Sequence, residues 1–205
     1  MSLIFTIFVL EATPMEISQY LDSTYLKTAQ QAAISVEETK KIIIKLVEEA
    51  IVFNFKLVMI RANYISLAKE LIIKADSNVL VGTVIGFHEG TYSIQEKLIE
   101  AQQAIDLGAD DLDFVVNYKA FQKGNTDLVK EEIIKGTSLG LINSKTVKWI
   151  IEVAALNNEE IASISKLIRR VVVDNFGEEK AKNVFVKSST GFYKTEGNKH
   201  NGATF

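Results

Sequence analysis

The sequence predicts an α/β fold: a parallel sheet of βαβ units, read as most of a (β/α)8 TIM barrel in preference to an open, doubly wound sheet. Three observations predict it. Apolar runs centred near residues 58, 82, 114, 150 and 185 recur with a helical stretch in each gap, the spacing of right-handed βαβ units. The runs are apolar throughout instead of alternating, as expected of strands covered on both faces. Polar and charged residues nevertheless sit inside several of them, which suits a barrel whose interior carries chemistry. The competing open sheet lacks its usual signs, because no G-x-G-x-x-G follows a strand and no G-x-x-x-x-G-K-[ST] occurs.

Residues 19–24 (QYLDST) read as a first strand. Ser35 followed by Glu38 is a capping box, and it opens a helix to about Ala50. Residues 55–60 (FKLVMI) form the second strand, and a helix through Leu67 and Leu71 follows. Residues 78–86 (NVLVGTVIG) are the third strand; Ser93 with Glu96 caps the next helix, which Gly108 stops as a residue free to turn left-handed. Residues 111–118 (DLDFVVNY) are the fourth strand, before a helix from about Asp127 to Leu139 that ends ahead of Gly140. Residues 147–156 (VKWIIEVAAL) are the fifth. Asn157 with Glu160 caps a helix to about Asp174, and residues 183–189 (NVFVKSS) are the sixth.

Of 205 residues, 23 are Lys or Arg and 26 Asp or Glu, a net charge of -3, which argues against a nucleic-acid binder. There is no Cys, so disulfides, thiolate metal sites and thiol catalysis are excluded, and with only His88 and His200 a histidine-based metal site is not expected. Residues 3–10 (LIFTIFVL) are too short to span a bilayer, and no basic residue precedes them as in an export signal. A cytoplasmic protein is expected, with residues 1–14 as an N-terminal extension ending at the only proline, Pro14, and residues 15–205 as a single barrel domain.

Chemistry is sought among the charged residues within strands. Asp111, Asp113, Val115 and Asn117 share one face of the fourth strand. Asp110 and Asp111 read as edge residues where the strand begins; Asp113 lies deeper, where a carboxylate is costly unless paired or functional. Lys187 lies at the carboxyl end of the sixth strand, where barrel active sites are built. Desolvation and a neighbouring cation there would yield a neutral amine able to attack a carbonyl; spacing alone also permits a lysine that reaches out to solvent. Ser188, Ser189, Thr190 and Gly191 offer hydroxyls and bare backbone suited to an oxyanion or phosphate.

Residues 184–192 (VFVKSSTGF) resemble the Schiff-base motif of the 2-deoxyribose-5-phosphate aldolase family, and residues 108–117 (GADDLDFVVN) its fourth-strand motif. Residues 21–27 (LDSTYLK), 81–90 (VGTVIGFHEG) and 147–156 resemble its first, third and fifth strand segments, in order and spacing from about Met15 to Thr204. The resemblance implies a class I aldolase that reversibly cleaves 2-deoxy-D-ribose 5-phosphate to glyceraldehyde 3-phosphate and acetaldehyde. By motif, Lys187 would form the Schiff base and Asp113 would move protons. Asp22 and Thr24 would line the substrate site, and Thr190 and Gly191 would sit near the phosphate or sugar hydroxyls. No metal or cofactor is implied. The expected partner is a phosphorylated sugar, with a homodimer as the candidate assembly and neither nucleic acid nor membrane as a partner.

Three departures from the family pattern stand out. The second strand reads VMIRA where the family has V-C-V-N-P, leaving Met59 as packing and Arg61, at the site mouth, as a solvated residue in preference to one that adds phosphate affinity. Val153 replaces a threonine while Glu152 is kept. The family's seventh-strand lysine segment and eighth-strand phosphate loop have no counterpart in these 205 residues. The resulting expectation is a partial barrel, inactive or weak by itself, whose gene continues past Phe205. Two further readings remain at this stage, a non-catalytic barrel relative acting as a scaffold and a Schiff-base aldolase for another phosphorylated substrate.

Overall fold

The computed structural model describes residues 16–195; the expected extension over residues 1–14 and the segment after 195 lie outside them. Six parallel strands form one sheet in the order of the sequence. They are β1 (Asp22–Tyr25), β2 (Leu57–Ile60), β3 (Leu80–Ile85), β4 (Asp111–Val115), β5 (Thr146–Ile150) and β6 (Val184–Lys187). The helices are α1 (Ala29–Ala32), α2 (Val36–Val52), α3 (Ile65–Lys74), α4 (Ile94–Asp106), α5 (Tyr118–Gln122), α6 (Thr126–Ile142) and α7 (Asn158–Ala181).

A sheet without a reversal of strand order has no topological switch point, which rules out the doubly wound alternative. The sheet also curls. Lys148 on β5 bonds Asp22 on β1 with 2.9 Å between Nζ and Oδ2. Four flat strand spacings would separate those strands by roughly 19 Å, beyond the reach of the two side chains. The curl divides the apolar residues into two layers. Met59, Leu57, Val84, Val115 and Ile150 pack inside the curve. Val58, Ile60, Val81, Leu112, Phe114, Val147 and Trp149 pack outward under the helices. This is the barrel arrangement: side chains fill the interior and helices cover the outside.

Local chemistry fixes the helix starts. Ser35 with Glu38, Ser93 with Glu96 and Asn157 with Glu160 form full capping boxes, as the sequence indicates, and Thr28 with Gln31 adds a fourth ahead of α1. Gly108 lies just past the end of α4 with φ of 99°, the left-handed residue its position calls for. Several expected boundaries move. Gln19 and Tyr20 belong to a 3-10 turn (Ile17–Tyr20) instead of the first strand. The run over residues 147–156 is a strand only to Ile150, because Glu152 turns left-handed and Val153–Ala155 form a 3-10 turn. Helix α6 does not stop before Gly140 but continues to Ile142. There a Cβ would overlap the Val147 methyl on β5, so this glycine serves close helix–sheet approach, not termination. Among the described residues no helix is long and apolar enough to cross a membrane.

Candidate active site

Alternation along the strands turns Asp22 and Thr24 of β1, Asp111 and Asp113 of β4, Lys148 of β5 and Lys187 of β6 toward the interior. Lys187 leaves β6 level with Ile150, and its ammonium reaches back one pleat to Asp113, with Nζ 2.6 Å from Oδ2. The Asp113 side chain is 0% exposed and that of Lys187 30%. Burial pushes the Asp113 carboxyl above the ordinary carboxylate range, against the opposing pull of Lys187 and Lys148.

Lys148 has no place in the sequence-derived site, yet it is the hub of the interior. Its ammonium lies 2.9 Å from Asp22 Oδ2, 2.9 Å from Asp111 Oδ2 and 3.9 Å from Asp113 Oδ1. Burial works against its charge, but Asp113, Asp111 and Asp22 together hold its pKa above the ordinary lysine value. Asp111 opens β4, as expected of a strand-entry residue, but it is a buried partner of Lys148 and not a mere edge residue. Asp110 is the edge residue, paired with Lys69 at 2.5 Å and accepting the Val81 N–H. Asp22, expected to line the substrate site, instead borders the lower cavity, together with Asp111, Thr146, Lys148 and Asn183 at the amino ends of the strands. The Thr24 hydroxyl donates to the Asp22 carbonyl.

The loop after β6 is clamped from the turn that follows β5. The Thr190 amide and hydroxyl both donate to Glu152 Oε2, and the Thr190 hydroxyl accepts the Phe192 N–H at 3.0 Å. Gly191 beside it has φ of 73° with open space where a Cβ would stand. Phe192 meets Phe87, from the loop after β3, edge-on at 4.9 Å between ring centroids. Arg61 is not the solvated residue the sequence suggests. Its Nε donates to the Leu26 carbonyl at 2.9 Å, its guanidinium lies 4.5 Å from the Phe87 ring centroid, and it is half-buried. Burial lowers its pKa, against the attraction of Glu100 and Tyr92. Met59 packs inside the curve, as expected.

The residues that follow the strand ends surround a cavity of about 770 Å³. Lys27, His88, Lys119, Phe192 and Lys194 are among those lining it. A cavity at the carboxyl ends of the strands lies where barrel enzymes bind substrate. Glu89 lines it as well and pairs with Lys119 at 3.3 Å, while Lys187, Asp113, Asp22, Thr24, Thr190 and Gly191 are not among its lining residues. The arrangement is that of a lysine-bearing (β/α) barrel, whose interior ammonium is held against a buried carboxylate.

Comparison with known proteins narrows the class. No family model matches the chain. It is 36% identical over 185 residues to the deoxyribose-phosphate aldolase of Caldicellulosiruptor saccharolyticus, covering 89% of this chain and 74% of that protein. It is 35% identical to the enzyme of the same name from Thermococcus gammatolerans, covering 87% and 71%. Among solved structures, one assigned as a deoxyribose-phosphate aldolase from Coccidioides immitis superposes with a TM-score of 0.69 at 31% identity. This chain spans 62% of that structure's length, with 87% of its own residues covered. The tetrameric deoxyribose phosphate aldolase of Aeropyrum pernix superposes with a TM-score of 0.66 at 25% identity, covering 87% and 66%. The chain belongs to the deoxyribose-phosphate aldolase family.

Proposed function

We propose that the protein is a class I aldolase that reversibly cleaves 2-deoxy-D-ribose 5-phosphate to D-glyceraldehyde 3-phosphate and acetaldehyde. The observation that carries this reading is the 2.6 Å contact between Lys187 Nζ and Asp113 Oδ2 in the interior of a barrel of this family. A buried carboxylate in contact with the amine can take its proton and return it during the reaction.

Neutral Lys187 attacks C1 of the open-chain sugar, and the carbinolamine loses water to give an iminium. The iminium draws electrons from the C2–C3 bond, which breaks as the C3 hydroxyl gives up its proton. Glyceraldehyde 3-phosphate departs and leaves the enamine of acetaldehyde on Lys187. Protonation at C2 and hydrolysis release acetaldehyde and restore the amine, so the water lost on entry is returned on exit. Asp113 serves the proton transfers at the carbinolamine and enamine steps. Asp22 acts from below by holding Lys148, and Thr24, on the same inward face of β1, completes the substrate-lining pair that the family motif implies. Glu152 fixes Thr190, and Gly191 offers backbone free of side-chain bulk to the phosphate or sugar hydroxyls. Two copies of the chain assemble as a homodimer in a soluble, cytoplasmic protein.

Borohydride trapping in the presence of acetaldehyde tests the reading. Reduction should leave a two-carbon adduct that peptide mass spectrometry places on Lys187 and that Lys187→Ala abolishes. Absence of an adduct in the full-length protein would instead support a scaffold that has kept the fold without the reaction.

A further inference from the structure

One group of buried charges lies outside the interior and has no part in the chemistry above. Lys97 of α4 and Glu132 of α6 are each 2% exposed and 2.7 Å apart. Lys97 Nζ also donates to the Val115 carbonyl at 2.8 Å, and the second oxygen of Glu132 accepts the Asn117 N–H at 2.6 Å. One turn along α4, Glu100 accepts the Gly86 N–H at 2.7 Å. These three backbone groups lie where β3 and β4 end and the ladder between them stops. Gly86 turns there with φ of 65°, and a Cβ on it would stand 2.8 Å from Lys97 Cε, so turn and lysine stem are in close contact. Burial lowers the Lys97 pKa and raises that of Glu132, each opposed by attraction to the other.

A pair buried this deeply is a poor source of stability, since apolar residues of similar volume often serve as well. What apolar residues cannot do is hold particular backbone N–H and C=O groups in place. The groups held here bracket the site. Val115 lies two residues past Asp113 on the same inward face. Asn117 caps α5, whose Tyr118 and Lys119 line the mouth. Gly86 opens the loop that carries Phe87 against Phe192.

We propose that Lys97, through its pair with Glu132, is a positioning residue for the reaction: it fixes the ends of β3 and β4 from outside the barrel and so holds Asp113 and the Phe87–Phe192 roof in register with Lys187. The inference rests on the aldolase reading. The test compares the full-length protein with Lys97→Met and with the double variant Lys97→Met/Glu132→Leu. Folding is followed by circular dichroism and Tm, and kcat and KM for deoxyribose 5-phosphate are measured well below the lowest Tm. The single variant should lose both Tm and kcat, because it leaves Glu132 buried and unpaired. The double variant should recover part of the lost Tm, short of the parent because the Val115 carbonyl and Asn117 N–H lose their partners, while kcat stays at least about tenfold low, the scale of a small misplacement of reacting groups. Its KM should stay within about threefold of the parent value, and borohydride trapping at Lys187 should be slower. If the single variant does not fold, the double variant decides. A double variant with parental kcat and trapping rate would overturn the proposal and leave the pair a purely structural role. An unmodified protein that neither cleaves nor traps would sink the aldolase reading itself, a result separable from any difference between variants.

Discussion

Three carboxylates converge on the ammonium of Lys148, which makes it the residue whose loss should be felt both in stability and in chemistry. Its pKa is held above the ordinary value by Asp113, Asp111 and Asp22 against the effect of burial. Its stabilisation is therefore fully present below the unfolded-state lysine pKa of about 10.4 and is lost only as pH rises through the higher folded-state value. At pH 7 Lys148→Met should cost about 2–4 kcal/mol, somewhat less than a fully buried pair because the side chain retains some exposure. Thermal melts should show that gap closing only at strongly alkaline pH. Removing the cation should also raise the already elevated Asp113 pKa, moving the acid limb of the kcat–pH profile to higher pH. An unchanged profile would detach Lys148 from the reaction. Asp113→Asn should lower aldol cleavage by at least ~10²-fold; near-normal turnover would make the carboxylate structural. Asp113 and Lys187 are legible in the sequence because strand parity and motif both select them. Lys148 has the same inward parity, but parity does not distinguish an interior cation from a lysine that snorkels out of the strand. The Glu152–Thr190 clamp joins residues 38 positions apart, and no local pattern encodes such a contact.

At the scale of elements, the helix starts were written in the sequence because capping is local chemistry, a hydroxyl or amide and a carboxyl three residues apart. Strand ends were less legible. An apolar run extends past the ladder wherever the chain turns while still buried, as it does at Glu152 after β5. Gly140 shows the same ambiguity in a helix, since a glycine placed for a stop and one placed for close packing look alike. The two roles predict opposite effects for Gly140→Ala. A helix-terminating glycine outside the packing would give little change, and in an open helix interior alanine would gain up to about 1 kcal/mol. Here the added methyl overlaps the Val147 side chain, which is fully buried under α6 and cannot withdraw. Overpacking of this kind costs about 1–3 kcal/mol and outweighs the propensity gain. Gly140→Ala should therefore lower Tm, and a companion Val147→Ala should relieve part of the loss. A variant as stable as the parent would mean that α6 shifts away from β5 at little cost.

For the whole molecule, the sheet is strongest at its middle. Every residue of β4 is buried, as is every residue of β2, whereas β1 alternates exposed and half-buried residues and Phe185 and Val186 of β6 are exposed. The interior ion pairs run the other way. Lys148 ties β5 to β1 and Lys187 ties β6 to β4, so the outer strands of the described sheet have polar contacts across the interior in addition to their ladders with β2 and β5. Salt screens such contacts in proportion to their exposure, least where a partner is as buried as Asp113, while burial of apolar side chains on both faces holds the central strands whatever the ionic strength. Hydrogen exchange followed by mass spectrometry should then resolve two levels of protection in the 205-residue chain. Amides of β2, β3 and β4 should exchange only on global unfolding, and those of β1 and β6 through local opening at lower cost. Raising the salt concentration should speed exchange in β1, whose Asp22 is the most exposed carboxylate of the network, and leave the middle strands unchanged. Lys148→Met should reproduce that loss in β1, since it removes the bond that closes the curve. Uniform protection across all six strands, insensitive to salt, would show that apolar packing alone closes the sheet and that the interior charges are there for the reaction only.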